Sequence, residues 1–145
     1  MVLRHQDPKV ERLRAIPFFA DADDQALQHL LSAADEVRVK AGHDLIDEGH
    51  HYGEAYVVVS GTIGVRVGGD EVAEIGPGEL IGELALLTHD VVSSATVVAK
   101  TDADLLVIPY NRFDQILDDN PALVRAIATQ LVHRLRAMDV LYRTS

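Results

Sequence analysis

From Tyr56 to Val67 nearly every residue favours extended backbone, and this run constrains the fold more than any other stretch. Val57, Val59, Ile63, Val65 and Val67 share one face at period two, with Gly61 in the middle of the row. A glycine inside such a row marks a bend or a close backbone approach. The same periodicity continues on both sides. Val37 and Val39 alternate with Glu36, Arg38 and Lys40, and Gly42 signals a turn before Leu45-Ile46. Gly68-Gly69-Asp70 reads as a hairpin turn leading into Val72–Ile75. Ser94–Ala99 and Asp104–Ile108 supply two more strands. Many short strands at this spacing predict a mainly β chain, folded as a sandwich or a rolled barrel.

Helices flank the β region. Asp7-Pro8 pairs a capping carboxylate with a first-turn proline and predicts a helix to about Ala15. A second helix follows Asp23/Asp24, with Leu27, Leu30, Leu31 and Ala34 on one face. After Pro109, Asn111–Leu117 is a short helix, and Asn120-Pro121 opens a long one. Val124, Ile127, Leu131, Leu135 and Met138 form a stripe along it. Two readings of the stripe stand: a helix packed on the β layer, or the seam of a homodimer through residues 120–141. The expected layout is one domain over residues 1–145, a usual single-domain size. Its helices span about 8–34, its β-roll about 36–108 and its C-terminal helices about 110–141.

Composition removes several function classes. The chain has no cysteine, which excludes disulfides, thiolate metal sites and a cysteine nucleophile. No apolar run approaches the roughly 20 residues of a membrane span. Met1–Asp7 lacks the basic head and apolar middle of a secretion signal, and the absence of cysteine fits the cytoplasmic location expected. The formal net charge of −10 repels nucleic acid. Arg12/Arg14 and Arg134/Arg136 read as solvated helix faces.

The chemistry concentrates between Gly76 and Leu87. Gly76, Pro77, Gly78 and Gly82 predict a tight, non-strand turn between two β regions, and Gly82 lets backbone approach a ligand closely. Glu83–Leu87 are good helix formers. The first amides of a helix point outward with partial positive charge, which suits phosphate. Glu83 beside them can accept hydrogen bonds from a sugar hydroxyl. A plain surface turn with a short helical cap would use the same residues.

The stretch Ile81-Gly-Glu-Leu-Ala-Leu86, the loop to Val92 and Ser93-Ser94-Ala95-Thr96-Val97 resembles the phosphate-binding cassette of cyclic-nucleotide-binding domains. Gly42, Ile46, Gly49, Glu54, Tyr56, Val58 and Gly61 resemble the family's upstream glycine and tyrosine pattern, and Ile16-Pro17-Phe18-Phe19 its N-terminal motif. The resemblance implies an eight-stranded jelly-roll β-barrel with flanking helices. It implies ligand-binding residues Gly82, Glu83, Leu84, Ala85, Ser93 and Ser94. Gly82 and Glu83 would meet the ribose 2′-hydroxyl, and the amides of Leu84 and Ala85 the cyclic phosphate. Ser94 would lie near phosphate or base. The implied ligand is cyclic AMP or cyclic GMP, with no cofactor required. The implied role is regulatory and non-catalytic, signalling through the C-terminal helix to an effector domain or partner protein. A helix-turn-helix follows that helix in the family's transcription factors, and none is expected here.

One position departs from the family pattern. Ser93 stands where the family carries an arginine. Arginine supplies a fixed charge and a planar fork of donors, whereas a serine hydroxyl cannot neutralise phosphate. Charged hydrogen bonds contribute roughly 1.5–3 kcal/mol each, so weaker nucleotide binding is expected. Three readings follow: weak cyclic nucleotide binding, a different and less charged ligand, or a degenerate domain used for protein contacts. A cupin-like metal enzyme is a remote alternative, drawn from His50, His51 and Glu54. Adjacent histidines on a strand point to opposite faces, which opposes shared chelation. Ser60 and Ser93-Ser94 lack a base and orienting acid for hydrolysis. His5, His29, His43 and His133 are scattered.

Overall fold

A computed structural model describes residues 8–16, 19–82 and 92–144. Two helices come first, α1 (Pro8–Arg14) and α2 (Asp24–Ala33). Asp23 caps α2 by accepting a hydrogen bond from the Ala26 amide at 2.7 Å. Arg14 ties the pair together, donating to the Ala22 carbonyl at 2.9 Å and bonding the Asp24 carboxylate. It is thus an inter-helix tie rather than a solvated charge. The side chain of Arg12 lies outside the described residues.

Eight strands follow: β1 (Asp35–Val39), β2 (Asp44–Ile46), β3 (Glu54–Ser60), β4 (Ile63–Val67), β5 (Asp70–Ile75), β6 (Leu80–Ile81), β7 (Thr96–Ala99) and β8 (Ala103–Pro109). They form two antiparallel four-stranded sheets, ordered β1-β8-β3-β6 and β2-β7-β4-β5. Among the described residues no ladder closes the sheets into a barrel, so the jelly roll is a sandwich. The helices α3 (Tyr110–Asp119) and α4 (Pro121–Thr144) complete the order. Each runs longer than the sequence suggests.

Three layers explain the burial pattern. Tyr56, Val58, Ile81 and Leu105 of the first sheet pack against Ile46, Ile63, Ile75, Val97 and Ala99 of the second. On the other face of the first sheet, Ala55, Val57, Leu80, Leu106 and Ile108 pack against Leu27, Leu30, Phe113, Leu123 and Ile127 of the helices. Strand β3 is therefore covered on both faces, which is why its run is continuously apolar. The Val57-to-Val67 row divides at Gly61: Val57 and Val59 face the helices, and Ile63 and Val65 face the inter-sheet core. Gly61 adopts φ +95°, and a Cβ there would stand 2.5 Å from the Asp102 carbonyl oxygen. The bend and the close approach are both present at this glycine, where the chain passes from one sheet to the other.

Helix α4 also divides the sequence stripe. Leu123 and Ile127 are buried and Leu131 packs on the same core, whereas Val124, Val132 and Leu135 are exposed, Leu135 by 65%. The packed-helix reading holds for the first part of α4. Met138's side chain lies outside the described residues.

Candidate functional site

Gly76-Pro77-Gly78-Glu79 folds as a type II turn. Proline fixes the first central position and Gly78 takes φ +88° at the second, the side that needs glycine. The Glu79 amide donates to the Gly76 carbonyl at 3.3 Å, and the Glu79 carboxylate accepts from the Gly76 amide at 2.7 Å. The turn is stitched to β3 by the Gly78 amide donating to Val58 O and the Val58 amide donating to Glu79 O. The expected non-strand turn therefore ends early: Leu80 and Ile81 pair with Val57 and Tyr56 as β6, and deliver the chain to Gly82.

Gly82 adopts φ +89°. The Tyr110 hydroxyl donates to its carbonyl at 2.7 Å. A Cβ on Gly82 would lie 2.8 Å from that hydroxyl, 3.2 Å from the Glu54 carbonyl oxygen and 3.3 Å from the Tyr52 ring. The Tyr52 and Tyr110 rings meet edge to face with centroids 5.7 Å apart. Positive φ and the crowding by Tyr110, Glu54 and Tyr52 favour glycine at this corner. Tyr110→Phe is expected to cost about 0.5–1.5 kcal/mol, the net value of one hydrogen bond, read from urea denaturation. An unchanged midpoint would show that the hydroxyl does not hold Gly82.

Residues Glu83, Leu84, Ala85 and the short helix expected at Glu83–Leu87 lie outside the described residues. Ser93 is 9% exposed. Its amide donates to the His50 carbonyl at 3.0 Å, and its carbonyl accepts from the Gly49 amide at 2.8 Å. Its hydroxyl bonds the Ala95 carbonyl and accepts from the Ala95 amide at 3.2 Å. The hydroxyl is therefore engaged within its own loop. Ser94 is exposed. His51 and Val92 form an isolated antiparallel bridge. Segment 49–54 is thus a common wall: its start holds Ser93, and Tyr52 and Glu54 meet Gly82.

On β3, Glu54 and Tyr56 follow each other at period two. Burial raises the Tyr56 phenol above its ordinary value, and the Glu54 carboxylate adds to this by charge and by hydrogen bonding. The phenol stays neutral at physiological pH. Lys100 is bound to Glu71 and Glu74, which raise its pKa. Gly82–Ala99 contains no lysine or arginine.

The sequence missed four contacts. Tyr52 and Tyr110 shape the corner at Gly82. Gln130 and Arg134 reach β6 from α4: Gln130 bonds both backbone groups of Leu80, and Arg134 donates to the Leu80 carbonyl at 2.8 Å. Arg134 is accordingly not a solvated charge. A signal was present, because Gln130 and Arg134 continue the inward row of Leu123 and Ile127 at helical spacing.

Among the described residues, no group of three or more His, Asp or Glu side chains gathers as a metal site. No helix among them is long and apolar enough to cross a membrane. A cleft of about 340 Å³ is lined by none of Tyr52, Glu54, Gly82 and Tyr110. It lies between Leu13, Ile16 and Leu31 of the helical end and Val37, Val59 and Leu106 of the first sheet.

The family model of the cyclic nucleotide-binding domain matches residues 36–120, more than half of the chain. The Pycsar effector protein XpPycTIR of Xanthomonas perforans is 28% identical over 108 residues, covering 74% of this chain and 36% of the relative. The cAMP-activated global transcriptional regulator CRP of Salmonella typhimurium is 29% identical over 118 residues, covering 78% of this chain and 56% of the relative. Among solved structures, the Thermus thermophilus Catabolite Activator Protein superposes with a TM-score of 0.72 at 28% identity. That match covers 88% of this chain and 62% of the other. The chain thus spans roughly a third to a little over half of these curated relatives.

Proposed function

The chain belongs to the cyclic nucleotide-binding domain family, and from that premise we propose that it is a regulatory sensor that binds cyclic AMP or cyclic GMP weakly. The observation that carries the reading is the corner at Gly82. A tight turn on β3 delivers a glycine at φ +89° between two tyrosines, at the start of the segment that resembles the phosphate cassette. In this reading Gly82 and Glu83 meet the ribose, and the amides of Leu84 and Ala85 meet the phosphate. Ser93 and Ser94 line the far side of the loop. One relative is cAMP-activated by name and another is an effector protein by name, which supports a domain that controls an effector. The domain itself is read as non-catalytic, with no nucleic-acid contact of its own. Its output is the C-terminal helix, whose exposed Val124, Val132 and Leu135 offer a face to an effector domain or to a second copy through residues 120–141.

Weakness follows from charge. The chain carries −10 overall, Gly82–Ala99 supplies no fixed cation, and the Ser93 hydroxyl bonds its own loop. Isothermal titration with cyclic AMP and cyclic GMP tests the reading. Heat should saturate, with a dissociation constant weaker than micromolar. A complete absence of heat up to millimolar nucleotide would favour the second reading, a degenerate domain for protein or non-nucleotide contacts. The engaged Ser93 hydroxyl is the observation on that side.

A further inference from the structure

We propose that Gln130 is the positioning residue that couples the binding turn to the C-terminal helix, an inference that rests on reading the Gly82 corner as the ligand site. Strand β6 is the last strand of its sheet. Its inner edge pairs with β3, where Val57 registers with Leu80 and the Val58 amide donates to Glu79 O at 3.0 Å. In an antiparallel ladder the backbone groups of successive residues point alternately inward and outward. Leu80 therefore directs its N–H and C=O away from β3, and its side chain is fully buried in the helix-side core. Gln130 completes that outer edge. Its side-chain oxygen accepts from the Leu80 amide at 3.0 Å, and its side-chain nitrogen donates to the Leu80 carbonyl at 3.1 Å. A primary amide sets an acceptor oxygen beside a donor nitrogen, as the edge of a strand does, so the helix supplies one link of a missing strand.

Leu80 stands two residues before Gly82, and Gln130 stands one turn beyond the buried Ile127 of α4. Arg134, one turn further on, donates to the same carbonyl at 2.8 Å. Movement of the binding turn thus reaches α4 through the backbone of Leu80, which two side chains of that helix hold. The requirement on residue 130 is narrow. Glutamate keeps the acceptor and loses the donor, and methionine keeps the length and loses both.

The test uses the whole chain, with Gln130→Met and Gln130→Glu. Hydrogen exchange without ligand comes first, with melting curves confirming that each variant is folded. In the methionine variant the Leu80 amide should exchange about tenfold faster or more, and residues 128–137 of the helix should lose protection with it. The glutamate variant should lie between it and the wild type, and Ile63–Ile75 should not change. Unchanged Leu80 exchange in the methionine variant would overturn the proposal. Saturating cyclic AMP is then added. In the wild type it should alter exchange in both the turn and residues 128–137, and in the methionine variant in the turn alone. A full helix response in that variant would overturn the coupling role even if the hydrogen bonds exist. If cyclic AMP changes nothing in the wild type, the ligand reading fails, and the ligand-free comparison alone decides the role of Gln130.

Discussion

Replacing Ser93 by arginine is expected to tighten cyclic AMP binding by about two orders of magnitude. A guanidinium adds a fixed charge and paired donors where the present side chain offers a hydroxyl already bonded to Ala95. One charge-assisted hydrogen bond contributes roughly 1.5–3 kcal/mol, and about 1.4 kcal/mol is a factor of ten. The backbone frame should survive the exchange. The amide and carbonyl of Ser93 are held by His50 and Gly49, neither of which depends on the side chain. The cost is release of the local Ser93–Ala95 bonds, which is smaller than the gain. Parallel calorimetric titrations of Ser93→Arg and the native chain measure the difference. Equal affinities would mean that residue 93 does not face the phosphate, and would remove Ser93 from the site.

Gly61→Ala should destabilise the fold by about 2–6 kcal/mol, the sum of two costs. A non-glycine residue in a sparsely populated backbone region costs about 1–3 kcal/mol. Forcing extra volume into packed surroundings costs about 1–3 kcal/mol more. Both apply at φ +95°, where the added Cβ meets Asp102 O at 2.5 Å, Ala103 Cβ at 2.7 Å and Ala103 Cα at 2.8 Å. These are atoms of the backbone or rigidly attached to it, so no side-chain rotation relieves the overlap. A domain typically has only about 5–15 kcal/mol in hand, so the variant should unfold at markedly lower urea. Gly68→Ala is the control: it also has positive φ, at +60°, but nothing within 4 Å, and should cost no more than about 1–2 kcal/mol. Equal losses in the two variants would show that contact with Asp102 and Ala103 contributes nothing.

Gly61 also shows what a sequence can carry. Period two reveals which residues of one strand share a face, and a glycine in the row reveals a bend. It does not reveal that the chain changes sheets at the bend, which assigns Val57 and Ile63 to different cores. That assignment depends on Asp102 and Ala103, some forty positions away. A tight turn was legible at Gly76–Gly78 because proline and glycine specify dihedral angles locally, whereas β6 just after it was not, since Leu80 and Ile81 pair with β3 more than twenty positions away. Ser93 was less so. Its residue type fits ligand contact and loop closure equally, and the pairing of its loop with Gly49 and His50 puts the hydroxyl on Ala95. Gln130 and Arg134 were read past for the same reason. Polar residues on a helix ordinarily face water, and their partner Leu80 lies 50 and 54 residues away.

The central claim is that the corner at Gly82 takes a cyclic nucleotide. Its most direct test is a titration of the ¹⁵N-labelled chain with cyclic AMP, followed by amide chemical shifts. Progressive, saturating shifts concentrated at Leu80–Gly82 and at Val92–Ala95 are expected, with the Gln130 side-chain amide moving in step. No shifts at millimolar nucleotide, or shifts confined to Leu13, Leu31 and Val37 around the separate cleft, would contradict it.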